Sequence, residues 1–124
     1  MEKNDNDQNR RYIHLVIGIT GHRDIVEEDR ELLKDKIRQI FKDLESEYAN
    51  TPLLLITSLA EGADRIGAEV ALEMGIEYIV PLPLPYDEYI KDFPNTKDEF
   101  DNLLKKSLGY FELPIQESEL ESPR

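Results

Sequence analysis

Two short polar segments of the 124-residue chain carry the residue types that chemistry needs. The first is Thr20-Gly21-His22-Arg23-Asp24. Gly21 permits a tight turn and lets a ligand approach the backbone. Thr20 offers a hydroxyl, the amides after it offer donors, and the planar fork of Arg23 suits phosphate or carboxylate. At the start of a helix such a turn binds phosphate. The alternative is a plain turn with a surface arginine and a half-exposed histidine. His22 also has the chemistry of a general acid or base.

The second segment is Ser58-Leu59-Ala60-Glu61-Gly62-Ala63-Asp64-Arg65. Ser58 and Glu61 have the spacing of a capping box, which gives both a structural reason to be there. Gly62 is harder to explain, because glycine in a first helical turn costs roughly 1 kcal/mol against alanine. It implies close approach of a ligand or another backbone. Glu61 and Asp64 are candidate acceptors for ribose hydroxyls, and with His22 they are the candidate catalytic groups. Asp64 and Arg65 also read as a simple solvated pair. Glu61 puts negative charge at a helix start, which weakens a bare anion hole. This segment therefore suits a sugar or a base better than a phosphate.

Composition removes other chemistries. There is no cysteine, so disulfides, thiolate catalysis and cysteine-bound zinc are excluded. With two histidines, one of them (His14) inside a strand pattern, no metal cluster is arguable and no metal is expected. Ser58 lacks a nearby His–Asp pattern, so a hydrolase triad is not expected. Tyr86 is a candidate to stack on a base, but Tyr86, Tyr89 and Phe93 at helical spacing read first as core. A net charge of −12 repels the phosphate backbone and makes nucleic acid an unexpected partner. No basic segment followed by a long apolar run is present, so neither a membrane partner nor export is expected, and the cytoplasm is the default compartment.

The elements that position these residues follow from periodicity. Residues 12–20, 52–59 and 77–84 are apolar, β-branched runs that read as strands buried on both faces. Prolines 81, 83 and 85 should end sheet pairing in the third. Between the strands lie helical patterns at 27–48 and 60–74. The first carries Leu32, Leu33, Ile37, Ile40, Phe41, Leu44 and Tyr48, and the second ends at Gly75. Asp24 and Glu27 have capping-box spacing before the first helix. Shorter helices are expected at 86–93 and 96–108, and a strand at 110–115. The segment 1–10 reads as a disordered arm, 11–115 as the domain and 116–124 as an acidic tail. The alternation predicts an α/β fold: a Rossmann-like parallel sheet of three to five strands with helices on both faces. Ligands bind such sheets outside the carboxyl ends of the strands, where both polar segments fall. A sheet this small leaves unpaired edges that recruit partners, so a homo-oligomer is expected.

The strings ITGHRD, SLAEGADRIGAE and VPLPLPYDEYIKDF together resemble the SLOG superfamily. These Rossmann-like domains are similar to the lonely-guy phosphoribohydrolases, the DNA-processing protein A fold and the molybdenum-cofactor carrier proteins. The resemblance spans residues 15–108. It implies binding of a nucleotide or nucleotide-derived ligand by Thr20, Gly21, His22 and Arg23 in one loop and Ser58, Glu61, Gly62, Asp64 and Arg65 in the other. It implies no other cofactor, and a role as a ligand sensor. The phosphoribohydrolases carry a later PGGxGTxxE motif that this chain lacks; its last glycine, Gly109, stands alone. The expectation is therefore a minimal or truncated member, or one completed by another subunit, that binds rather than cleaves. The alternatives are N-glycosidic cleavage of a nucleoside monophosphate, with Arg23 on phosphate and Glu61 or Asp64 stabilising a cationic sugar, and a non-catalytic oligomeric interaction module.

Overall fold

The computed structural model describes residues 13–21 and 25–114. The expected arm at 1–10 and tail at 116–124 lie outside these residues, as do His22, Arg23 and Asp24. The apolar runs form four strands, β1 (Leu15–Gly18), β2 (Leu53–Ile56), β3 (Glu77–Leu82) and β4 (Gly109–Glu112). All neighbours are parallel, in the order β1-β2-β3-β4. Between them run α1 (Glu27–Glu47), α2 (Ala63–Met74), α3 (Tyr86–Tyr89), a 3-10 turn (Ile90–Asp92) and α4 (Lys97–Lys106). This is the expected Rossmann-like α/β fold.

The helices cover one face of the sheet, where the apolar strand patterns predict two. Right-handed crossovers between successive neighbours all return over the same face. Burial alternates accordingly: Leu53, Leu55, Tyr78, Val80 and Leu82 are in the core, while Val16, Leu54, Ile56, Ile79 and Pro81 are outside it. The strands are apolar on both faces, and that pattern carries no information about which face the crossovers take.

Pro81 does not end β3. It stays in register with Phe111 of β4. The carbonyls of Ile79 and Pro81 accept from the Thr57 amide and the Ser58 hydroxyl, so these residues turn their polar backbone toward β2. Leu82 instead accepts from the Leu113 amide on the β4 side. The missing N–H of Pro81 therefore points where β2 has already ended, and no ladder bond is lost.

Ile37 and Phe41 of α1 are buried and Leu33 and Leu44 border the core, but Leu32 and Ile40 are 57% and 54% exposed, off the expected stripe. Arg30, Lys34 and Arg38 form a second stripe four residues apart that faces α2. Arg30 reaches Glu69 at 2.8 Å, and Lys34 and Arg38 reach Glu73 at 2.9 and 2.7 Å. The hydrogen bonds from Lys34 and Arg38 hold the Glu73 carboxyl below its usual range. The expected capping box of Ser58 and Glu61 does not form, and that of Asp24 and Glu27 lies partly outside the described residues. Val26 holds the cap position of α1, and Gly62 that of α2, without a side-chain cap bond. Gly75 does close α2, in the left-handed conformation. The Tyr78 hydroxyl donates to the Leu103 carbonyl and ties β3 to α4; burial raises it to about 12. No described helix is long and apolar enough to cross a membrane.

Candidate functional site

Thr20 and Gly21 leave the carboxyl end of β1 exposed to solvent. A Cβ added at Gly21 would stand 2.7 Å from that of Ala63, the first residue of α2. The first loop thus lies directly on the start of the second helix, and only glycine permits that contact. Of the first-loop candidates, Thr20 and Gly21 are brought to the second loop; His22 and Arg23 lie outside the described residues.

The second loop is held in an unusual shape by an interior network. Leu59 has φ 60°, the left-handed region that a bulky residue rarely adopts, and its side chain is fully buried. Gly62 has φ 93° and ψ −133°, a region open essentially to glycine alone. Backbone geometry therefore requires Gly62, whether or not a ligand approaches it. Thr57, 1% exposed, accepts from the Leu59 amide and donates to the Asp64 carbonyl, both at 3.1 Å. The Arg65 Nε donates to the Leu59 carbonyl at 2.8 Å.

Arg65 is turned inward, 1% exposed, and does not pair with Asp64 at the surface. Its Nη1 donates to Glu99 at 2.7 Å and to the Thr96 carbonyl at 3.4 Å, and the guanidinium lies 4.7 Å from the Phe93 ring centre. Nη2 is buried with no hydrogen-bond partner. An arginine so placed shapes the loop and joins it to the start of α4.

Ser58 and Glu61 also bridge segments. The Ser58 hydroxyl donates to the Pro81 carbonyl at 3.0 Å, and its own carbonyl accepts from the Tyr89 hydroxyl at 3.0 Å. Glu61 accepts a 2.5 Å hydrogen bond from Thr96. Asp64 is half-buried; desolvation raises its carboxyl above the ordinary value, opposed by a hydrogen bond from the Ala60 backbone. Tyr86 is held by its hydroxyl to Asp101 at 2.7 Å and by its amide to Glu112 at 2.9 Å. Thr57, Thr96 and Glu99 were not legible as site-shaping residues. Thr57 sits inside an apolar strand run, and the other two lie more than thirty residues from their partners in the loop.

A broad open cleft of about 970 Å³ lies at the opposite, amino end of the sheet, lined by His14, Tyr48, Asn50 and Glu77 among others. Among the described residues no group of His, Asp or Glu is arranged to hold a metal ion. No family model, curated protein or solved structure matches the chain.

Proposed function

We propose that the protein binds or senses a nucleotide or nucleotide-derived ligand at the carboxyl edge of its sheet, in the cytoplasm. The observation that carries this reading is the contact of Gly21 with Ala63. It joins two polar loops from adjacent strands at the edge where parallel sheets take their ligands. Thr20 and Gly21, continued by His22 and Arg23, receive the phosphate. Ser58, Glu61, Gly62 and Asp64 border the sugar and base. Arg65 acts from behind, by fixing Leu59. Calorimetric titration with nucleoside mono-, di- and triphosphates and sugar nucleotides tests the reading. Saturable heat and a raised melting temperature with at least one of them are expected. No heat and no thermal shift across the panel contradicts it.

Asp64 supports a second reading, N-glycosidic cleavage of a nucleoside monophosphate. A half-buried carboxyl with a raised proton affinity is suited to act beside a developing cationic sugar or to carry a proton. Free base released by the wild type and lost in Asp64→Asn supports cleavage. Binding without base release leaves the sensor reading alone.

A further inference from the structure

Arg65 is the one charged side chain buried among the described residues, and its bonding is incomplete. Nε donates to the Leu59 carbonyl, and Nη1 donates to the Thr96 carbonyl and to Glu99 Oε1, while Nη2 has no partner. Buried donors are almost always satisfied, so an orphan N–H on a buried cation asks for a cause. A guanidinium and a carboxylate pair best through two parallel hydrogen bonds. Here Nη2 takes no part in the pairing with Glu99. The two partners also differ in exposure: the Arg65 side chain is 2% exposed and that of Glu99 45%. Glu99 therefore reaches the buried cation from the solvent side, and it can leave toward solvent without unpacking the core. It stands in the first turn of α4, which begins at the carboxyl edge of the sheet. The Phe93 and Phe100 ring centres lie 4.7 and 5.9 Å from the guanidinium carbon and keep the group in place when Glu99 moves.

We propose that Glu99 occupies the place of a ligand carboxylate, which displaces it and pairs with both Nη1 and Nη2 of Arg65. Exchange of one carboxylate for another leaves the buried cation neutralised in both states, which a buried charge demands. The gain is a hydrogen bond to an N–H that is otherwise unpaired. The class of anion follows from the surroundings. The room that Glu99 gives up is that of a planar carboxylate. A phosphate would bring more negative charge close to Glu61, which is bonded to Thr96, the residue whose carbonyl Nη1 also meets. The proposal rests on the reading of the carboxyl edge as the ligand edge, and it adds a carboxylate to the chemistry of the ligand.

Glu99 is then an internal competitor. The apparent affinity of a ligand falls in proportion to the fraction of molecules in which its site is free. Removing Glu99 should tighten carboxylate binding without adding any contact.

Acetate, which brings a carboxylate and no base, sugar or phosphate, tests the proposal. The melting temperature and the Arg65 Nε–H magnetic-resonance signal are followed as wild type and Glu99→Ala are titrated with acetate or with inorganic phosphate, at constant ionic strength set with chloride. In the variant, acetate should raise the melting temperature and shift the Arg65 signal saturably, with an affinity at least about tenfold above that of the wild type. The wild type should reach the same shifted signal at higher acetate. If Glu99→Ala fails to fold, Glu99→Gln, which keeps an oxygen for Nη1, carries the test with a smaller gain. Equal affinity in wild type and variant overturns the proposal, and so does a wild-type Arg65 signal that acetate never moves. Phosphate gaining as much as acetate overturns the choice of a carboxylate. Because acetate is not a nucleotide, failure here leaves the nucleotide reading standing, and silence across the nucleotide panel leaves an acetate response standing.

Discussion

The two ends of the sheet differ in how their backbone is held. The amino end holds the broad cleft beside His14, Tyr48 and Asn50, formed by ordinary turns. The carboxyl end holds a surface maintained at a cost. Leu59 sits in the left-handed region, Gly62 in a glycine-only region, and a buried arginine carries an unpaired N–H. Thr57, Ser58, Thr96 and Glu99 hold this arrangement through side-chain bonds. Strain of this kind persists only where the surroundings over-determine it, and it gathers at functional sites. The comparison favours the braced end.

The comparison can be broken by substitution. The largest effect is expected from Arg65→Leu. It removes the bonds to Leu59, Thr96 and Glu99 and takes its arginine donor from the buried Leu59 carbonyl, so stability in urea should fall by about 2–4 kcal/mol. Gly62→Ala comes next: a Cβ at φ 93° should cost about 1–3 kcal/mol in the same assay. Tyr78→Phe, away from both ends, should cost about 1 kcal/mol at neutral pH. Its pH profile sharpens the assignment. The unfolded phenol loses its proton near 10.0 and the folded one near 12, so the wild type loses stability as pH rises through that window. The Phe variant should lack that loss. The smallest effect is expected at the amino end, where Asn50→Ala should stay within about 0.5 kcal/mol of the wild type.

Asp64 gives a test with the opposite sign to an ordinary ion pair. Its raised proton affinity means that folding disfavours the charged form. The folded state then binds the proton more tightly than the unfolded state, and stability falls as pH rises above the ordinary value of 3.8. Asp64→Asn should melt no lower than the wild type at neutral pH, and any advantage should vanish at pH values below that point. A variant that is less stable at neutral pH would show that the hydrogen bond from Ala60 outweighs desolvation.

Much of the fold was legible because apolar periodicity is a local signal. All four strands, the two long helices and the Gly75 cap lie where the pattern predicts, and so does the placement of both polar loops at one edge. Non-local facts were not legible. An apolar strand run does not say whether one face or two will be covered, as Leu54 and Ile79 illustrate. Nor does a lone Arg65 after an acidic residue announce that it turns inward, because its partners come from a helix more than thirty residues away. The capping box at the second loop failed for a related reason. The sequence spacing is satisfied at Ser58 and Glu61, but Ser58 is drawn to Pro81 and Glu61 to Thr96, and the helix starts later.

The most direct test of ligand binding at the carboxyl edge is mapping of backbone amide chemical shifts as the tightest-binding nucleotide of the panel is added. Perturbations centred on Thr20, Gly21, Leu59 and Gly62, with Tyr48, Asn50 and Thr51 unmoved, are the expected result. Perturbations centred on the amino-end cleft, or none at saturating nucleotide, would contradict it.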